Sequence, residues 1–310
     1  EVDLAGFALE LAAWGTPASR LAFMTPPPAK AMRAAADLLR ALGAFDADDA
    51  ITDTGRAMLR MPVHPRLARM VVAEPTSLGC ALAAMVDERD VFRGRLDDVP
   101  ADLALRLAVL AGTADERAAD RRAVSRVRER ARDIARRAGI EFDPVAIGVH
   151  VERTGRALLA GYPDRLAMRR RPGQFQLRTG SGAWLPDGDP LAHEPFVVAV
   201  DLDGKRDRAR IRLAAAVSPD DVVAAYGDEV DESVRLVWDD DRDDLVERVE
   251  RRLGAMRLGQ ALRPARPGPA TTAALLDRVR ATGLAVLGWS ATSVALRRRV
   301  EFLHRQWGEP

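Results

Sequence analysis

Few residues in this chain are placed to do chemistry. The four histidines, His64, His150, His193 and His304, stand apart in the sequence, and none forms His-x-x-x-His or His-Glu-x-x-His. His193-Glu194-Pro195-Phe196-Val197 ends on the wrong residue for a zinc-binding helix. A lone histidine is more often a packed or surface residue than a ligand, so no metal is assigned. No Gly-x-Ser-x-Gly elbow presents a serine nucleophile, and the many carboxylates form no pair that spacing alone marks as an acid and a base. Cys80 is the single cysteine, which removes intramolecular disulfides and cysteine-cluster zinc sites together. Lying between Leu78 and Leu82 in a small-residue stretch, it reads as a buried small hydrophobe without a redox role.

Nucleotide chemistry is equally constrained. Lysine occurs only at Lys30 and Lys205, so arginine supplies the other 45 of the 47 positive charges. A phosphate-binding loop requires Gly-x-x-x-x-Gly-Lys-[Ser/Thr], with its lysine against the terminal phosphates. Lys30 follows Pro26-Pro27-Pro28-Ala29, and Lys205 follows Asp203-Gly204 with Ala199 where the first glycine belongs. Neither fits, so catalytic residues are assigned to no position. The arginine excess itself is what a GC-rich coding sequence produces, yet any basic patch here is built of guanidinium forks suited to phosphate and to stacking.

Charge is segmented. Residues 219–245 carry eleven acids and only Arg235 and Arg242, a net of −9, which leaves +10 on the remainder of a chain whose total is +1. Residues 115–138 hold nine arginines, from Arg117 to Arg137, against five acids. Such a face can contact phosphates despite the neutral total; it is also what a solvated helix in an arginine-rich protein looks like.

The elements that must position these residues follow from periodicity. Leu4, Phe7, Ala8, Leu11 and Ala12 recur at helical spacing and Gly15 closes the segment. Thr25 and three prolines open a second helix that stops at Gly43, and Thr52 or Thr54 caps a third, reaching Met61. Residues 1–62 therefore read as a winged-helix-like domain. Pro62-Val63-His64-Pro65 breaks the chain, and helical patterning runs over 66–72, 75–87, 101–111, 115–138 and a last helix from Asp143-Pro144 to about Gly161: an all-α domain over 63–160. The period then becomes two. Strands are predicted at 165–171, 174–178, 182–185, 196–202 and 208–213, where Arg208, Arg210 and Arg212 alternate with Ala209, Ile211 and Leu213. Further strands at 233–238 and 245–257 with one helix near 218–226 complete a small OB-like β-barrel over 161–262. A proline-rich linker at 264–269 precedes two helices at 271–283 and 291–306, the start of a further domain over 263–310. The fold class is thus mixed, mainly α in the N-terminal half, then the barrel and terminal helices. The ending Trp307-Gly308-Glu309-Pro310 suggests a fragment.

Hydrophobic residues make up 47% and charged residues 30%, too apolar for a disordered chain. No apolar run approaches the roughly 18 residues of a membrane helix, and Glu1-Val2-Asp3-Leu4 is no signal peptide. No membrane partner and a cytoplasmic location are expected.

In that order of modules, Ala41-Leu42-Gly43-Ala44-Phe45-Asp46, Ile51-Thr52-Asp53-Thr54-Gly55-Arg56-Ala57-Met58 and Met61-Pro62-Val63-His64-Pro65-Arg66-Leu67-Ala68-Arg69-Met70 resemble the winged helix of DEAH-box helicases and its junction to the helical ratchet domain. Gly79-Cys80-Ala81-Leu82-Ala83 resembles the small-residue helix that follows, and Tyr162-Pro163-Asp164-Arg165-Leu166-Ala167 with Gly180-Ser181-Gly182-Ala183 the start of the barrel. The family hydrolyses ATP with Mg on two RecA-like domains, whose motifs are absent from this chain. The resemblance therefore implies an accessory region packing in cis on those motor domains, closing a channel for single-stranded RNA. Lining that channel would fall to Arg66 and Arg69 at the ratchet start, Arg126 and Arg130 on the long helix, and Arg165 and Arg169 at the start of the barrel, contacting phosphates rather than base edges. Two other classes remain: a winged-helix DNA-binding regulator reading a major groove through residues 53–61, where Arg56 and Arg60 are the only cations, and a protein-interaction scaffold using the acidic 219–245 segment.

Overall fold

The computed structural model describes residues 3–94, 99–114, 119–204 and 208–308. Lys205 and Arg117, both singled out above, lie outside the described residues, as does the expected start of the long helix at Asp115. The chain divides into two compact units, one of Glu1–Val230 with Leu253–Met256, the other of Asp231–Arg252 with Arg257–Pro310.

The first unit opens with helices α1 (Ala5–Trp14), α2 (Ala29–Ala41) and α3 (Asp53–Met58). Helix α1 stops at Gly15, whose φ of 71° is the left-handed cap glycine adopts at least cost. The Thr52 hydroxyl accepts from the Gly55 N–H, capping α3, and donates to the Gly43 carbonyl, tying α3 to the end of α2. Gly55 is required by contact: a Cβ there would sit 2.5 Å from the Ala44 carbonyl oxygen.

Six helices follow: α4 (Pro65–Ala73), α5 (Ser77–Asp87), α6 (Leu103–Ala111), α7 (Arg121–Ala138), α8 (Pro144–Val149) and α9 (Thr154–Gly161). The histidine at position 64 caps α4, its Nδ1 accepting from the Arg66 N–H. Helix α5 is buried from Ser77 to Met85 and packs against α4 and α7; its Gly, Ala and Cys side chains let neighbouring helices approach closely. Cys80 is fully buried there, and burial pushes its thiol up to about 12. The single helix expected from Asp143 to Gly161 is instead two, separated by a 3₁₀ turn over Val151–Arg153. The break lets Gly155 press on the strand that returns from the barrel, where a Cβ would lie 2.2 Å from the Ala216 carbonyl oxygen.

The barrel comprises β1 (Leu166–Arg171), β2 (Gln174–Leu177), β3 (Gly182–Trp184), β4 (Phe196–Leu202) and β5 (Arg208–Ala216). It is closed in the order β1-β2-β3-β5-β4, with β3 parallel to β5 and β1 antiparallel to β4. Its core is formed by inward residues including Ala167, Phe175, Leu177, Ala183, Val197 and Ile211. Helix α10 (Pro219–Tyr226), capped by Ser218, follows.

The expected extent of the barrel is corrected here. The strands after α10, β6 (Asp231–Asp239), β7 (Asp244–Leu253) and β8 (Met256–Pro264), form their own three-stranded sheet in the order β6-β7-β8. Once β1 pairs with β4 the ring has no free edge to receive them. Helices α11 (Pro269–Thr282) and α12 (Ala291–Trp307) complete the second unit. There Arg278 lies over Trp238 and Arg297 over Trp289, with guanidinium carbons 4.7 and 5.1 Å from the ring centroids.

Candidate nucleic-acid interface

The six candidate arginines divide by what their guanidiniums touch. Arg66, near the start of α4, makes a bidentate pair with Asp164 at 2.6 and 3.0 Å, donates to the Gly161 carbonyl at 3.0 Å and covers the Tyr162 ring. It clamps α4 to the junction between α9 and the barrel. Burial pushes the Asp164 carboxyl up, but the hydrogen bonds and charge of Arg66 outweigh this and hold it below the usual carboxylate range.

Arg69 donates from Nε to the Leu42 carbonyl at 3.0 Å, satisfying the end of α2. Its remaining donors face a cleft of about 700 Å³ shared with Arg40, Glu74, Arg156, Tyr226 and Glu229. Burial there lowers its pKa from the ordinary arginine value. Arg130 bonds Asp87 at the end of α5 and the Pro62 carbonyl at 2.9 and 2.8 Å, pinning α7 to the winged-helix junction. Arg165 pairs with the neighbouring Asp164 at 3.6 Å, and Arg169 donates to the His193 carbonyl. Arg126 differs: it is exposed on α7, and among the described residues no hydrogen bond or ion pair reaches it.

Arg126 also has company. The buried stripe of α7 is Ala123, Val124, Val127, Ala131, Ile134 and Ala135, so the opposite face carries Arg121, Arg122, Arg126, Arg132, Arg136 and Arg137, all exposed. Glu129 and Asp133 are the acids on that face, and Asp133 is shared among Arg130, Arg136 and Arg137. Arg128, beside the buried stripe, instead donates to the Leu110 carbonyl at the end of α6. Spacing in the sequence could not separate these two kinds of arginine, because both recur on the same helical period.

The alternative recognition helix, α3, spans only six residues, with Arg56 exposed on it and Arg60 exposed just beyond its end. Among the described residues, no three His, Cys, Asp or Glu side chains are grouped as metal ligands. No described helix is long and apolar enough to cross a membrane.

Comparison with known proteins identifies a winged helix and a likeness to one helicase along the whole chain. The winged helix of the helicase associated domain (HA2) matches residues 35–63. The chain is 30% identical over 308 residues, 96% of its length, to the ATP-dependent RNA helicase HrpB of Escherichia coli, of which it spans 35%. It is 36% identical over 97 residues to the human probable ATP-dependent RNA helicase DHX35, spanning 14% of that protein. A crystal structure of the E. coli DExH-box NTPase HrpB superposes with a TM-score of 0.63 at 25% identity, covering 100% of this chain and 37% of that one. A second crystal structure of E. coli HrpB, described as a DEAH/RHA helicase, has a TM-score of 0.61 at 23% identity, covers 98% of this chain and 36% of that one, and supports the fold. The chain thus spans about a third of the length of HrpB and resembles a C-terminal region of it.

Proposed function

We propose that this chain is the accessory region of an HrpB-like ATP-dependent RNA helicase, packing in cis on RecA-like motor domains and holding single-stranded RNA by its backbone. The likeness to HrpB over 96% of the chain carries this reading. The modules support it in detail: a winged helix, a helical ratchet around buried α5, and a barrel we read as OB type, because the order β1-β2-β3-β5-β4 with β3 parallel to β5 is the connectivity that fold requires. ATP and Mg would belong to the motor domains. The residues here do not fit them, since the described chain offers neither a glycine cradle ahead of Lys30 nor a carboxylate cluster for the metal.

For the RNA path, the exposed face of α7 is the better phosphate track. Arg126 lies on it with Arg122, and guanidiniums on one helix face suit phosphates, whose contacts carry no sequence information. Arg165 and Arg169 are less available, since Asp164 and the His193 carbonyl already engage them. Arg66, Arg69 and Arg130 act by holding the modules in place, because each already satisfies carboxylates or carbonyls of a neighbouring element.

Labelled single-stranded RNA and a duplex of equal length, titrated by anisotropy over a salt series, test the reading. Single strands are expected to bind in preference, with no dependence on sequence. Arg122→Ala/Arg126→Ala should weaken binding and lower the logarithmic salt slope by about 0.7 for each lost phosphate contact. Selective binding to one duplex sequence would instead establish the regulator. Binding to no nucleic acid would leave the acidic scaffold.

A further inference from the structure

The cleft beside Arg69 holds a charge that nothing in the fold answers. It lies within the first unit, between the end of α2, α4, α9 and α10, and measures about 700 Å³. Pockets for small molecules commonly run from about 300 to 1,000 Å³. Small side chains form much of its wall: Ala41 on α2, Ala73 at the end of α4, Ala160 on α9 and Ala225 on α10.

The other charged groups of the lining have opposite partners. Arg40 bonds Asp37 and Asp49. The buried Glu74 carboxylate accepts from Arg156 at 3.1 Å and from Arg153 at 3.5 Å. Glu229 pairs with Arg178, which also covers the Tyr226 ring. Burial pushes the Tyr226 phenol up to about 12, so it stays neutral, and its hydroxyl donates to the Leu159 carbonyl at 3.2 Å. Arg69 differs. Among the described residues no carboxylate pairs with it, and its one hydrogen bond runs from Nε to the Leu42 carbonyl.

That bond fixes the plane of the guanidinium and leaves both Nη groups for a ligand. A half-buried cation without a counter-ion is costly, and an arriving anion removes the cost. Two Nη groups of one guanidinium match the two oxygens of a carboxylate. The ligand's charge should be single, because Glu74 and Glu229 line the same cleft and repel a second negative charge. A phosphate monoester or a nucleotide carries too much charge, and a nucleic-acid strand adds one for every residue. The alanine wall suits an apolar body behind the carboxylate.

We propose that this cleft is a binding site for a small organic acid, its carboxylate across the two Nη groups of Arg69 and its apolar body against Ala73, Ala160 and Ala225. The inference goes beyond the RNA path on α7 and does not depend on it.

Equilibrium dialysis of radiolabelled hexanoate against the whole chain tests the site, with butyrate and octanoate as shorter and longer acids. Saturable binding at one site per chain is expected. Hexanamide should compete roughly tenfold less well, since it lacks the charge. Arg69→Gln should weaken binding by a similar factor. Ala73 is exposed four residues beyond Arg69 on α4, so Ala73→Glu places a carboxylate within reach of the guanidinium. It should abolish binding, whereas Ala73→Gln, equal in size and uncharged, should retain most of it. Thermal melts establish that each variant is folded, and should Arg69→Gln not fold, the two Ala73 variants decide. Absence of saturable binding by any of the three acids overturns the site. Equal losses in folded Ala73→Glu and Ala73→Gln, or equal competition by hexanamide, overturn the role of the carboxylate. Binding of a glutamate-containing peptide but of no free acid would put a protein side chain in the cleft and overturn the small-molecule assignment. Displacement of hexanoate by oligouridine would return Arg69 to the RNA path and overturn it as well.

Discussion

At the scale of single residues, the arginines of this chain do two physically different things. Arg106 is wholly buried; it bonds Asp90 at 2.6 and 3.0 Å and the carbonyls of Pro100 and Asp102, and lies over Phe92. Truncation leaves a largely buried carboxylate without its partner, so Arg106→Ala should cost about 3–5 kcal/mol in chemical denaturation. A loss below about 1 kcal/mol would show that the pair is dispensable. The Arg66–Asp164 pair is more exposed, and Asp164→Asn should cost about 1–3 kcal/mol at neutral pH. The pKa of Asp164 is depressed in the folded chain, so its contribution is present above the unfolded value, about 3.9, and is lost as pH falls through the lower folded value. The stability gap between wild type and Asp164→Asn should therefore close below about pH 4; a gap unchanged from pH 7 to pH 3 would contradict this. Sequence gave no access to the distinction. Arg66 and Asp164 lie 98 positions apart, and the arginine that caps a carbonyl and the arginine that faces solvent have the same letter and the same period.

At the scale of elements, local signals were far more legible. The helix stops at Gly15 and Gly43, the Thr52 and Asp143 caps and the two terminal helices all occur where capping chemistry and periodicity place them. What escaped was whatever depends on a distant neighbour. The split of α8 from α9 reflects the approach of Gly155 to Ala216, and the exclusion of β6–β8 from the barrel reflects ring closure by β4. Close backbone approach also fixes the α4–α9 contact. At Gly161 a Cβ would lie 2.5 Å from the Arg66 carbonyl oxygen and 2.6 Å from the Met70 side chain. Methionine can yield, the backbone oxygen cannot, so Gly161→Ala should destabilise the chain by about 1–3 kcal/mol through displacement of α4. Because α4 carries the Arg66 clamp, the same substitution should remove part of the benefit of that pair. In a double-mutant cycle with Asp164→Asn, strictly additive losses would refute the coupling.

At the scale of the whole molecule, a near-zero net charge conceals opposed regions: an acidic stretch over 219–245 and an arginine face on α7. Salt dependence of binding therefore reports the local field, not the total charge. The same separation of roles governs energy coupling. Phosphoryl transfer needs a backbone cradle and a cation on the terminal phosphates, magnesium held by a hydroxyl and a carboxylate, and a residue that orients the attacking water. Here Lys30 follows three prolines, which supply no N–H groups to such a cradle. The arginines that could approach a phosphate on α7 lie on a continuous helix, whose interior N–H groups are already bonded. The chain alone should consequently release no phosphate from ATP, with or without single-stranded RNA, even at high protein concentration. The measurement is steady-state phosphate release against a buffer control and against an Arg122→Ala/Arg126→Ala variant. Turnover that rises with protein concentration and with added RNA would place an ATP site within these 310 residues and overturn the reading of the chain as an accessory region.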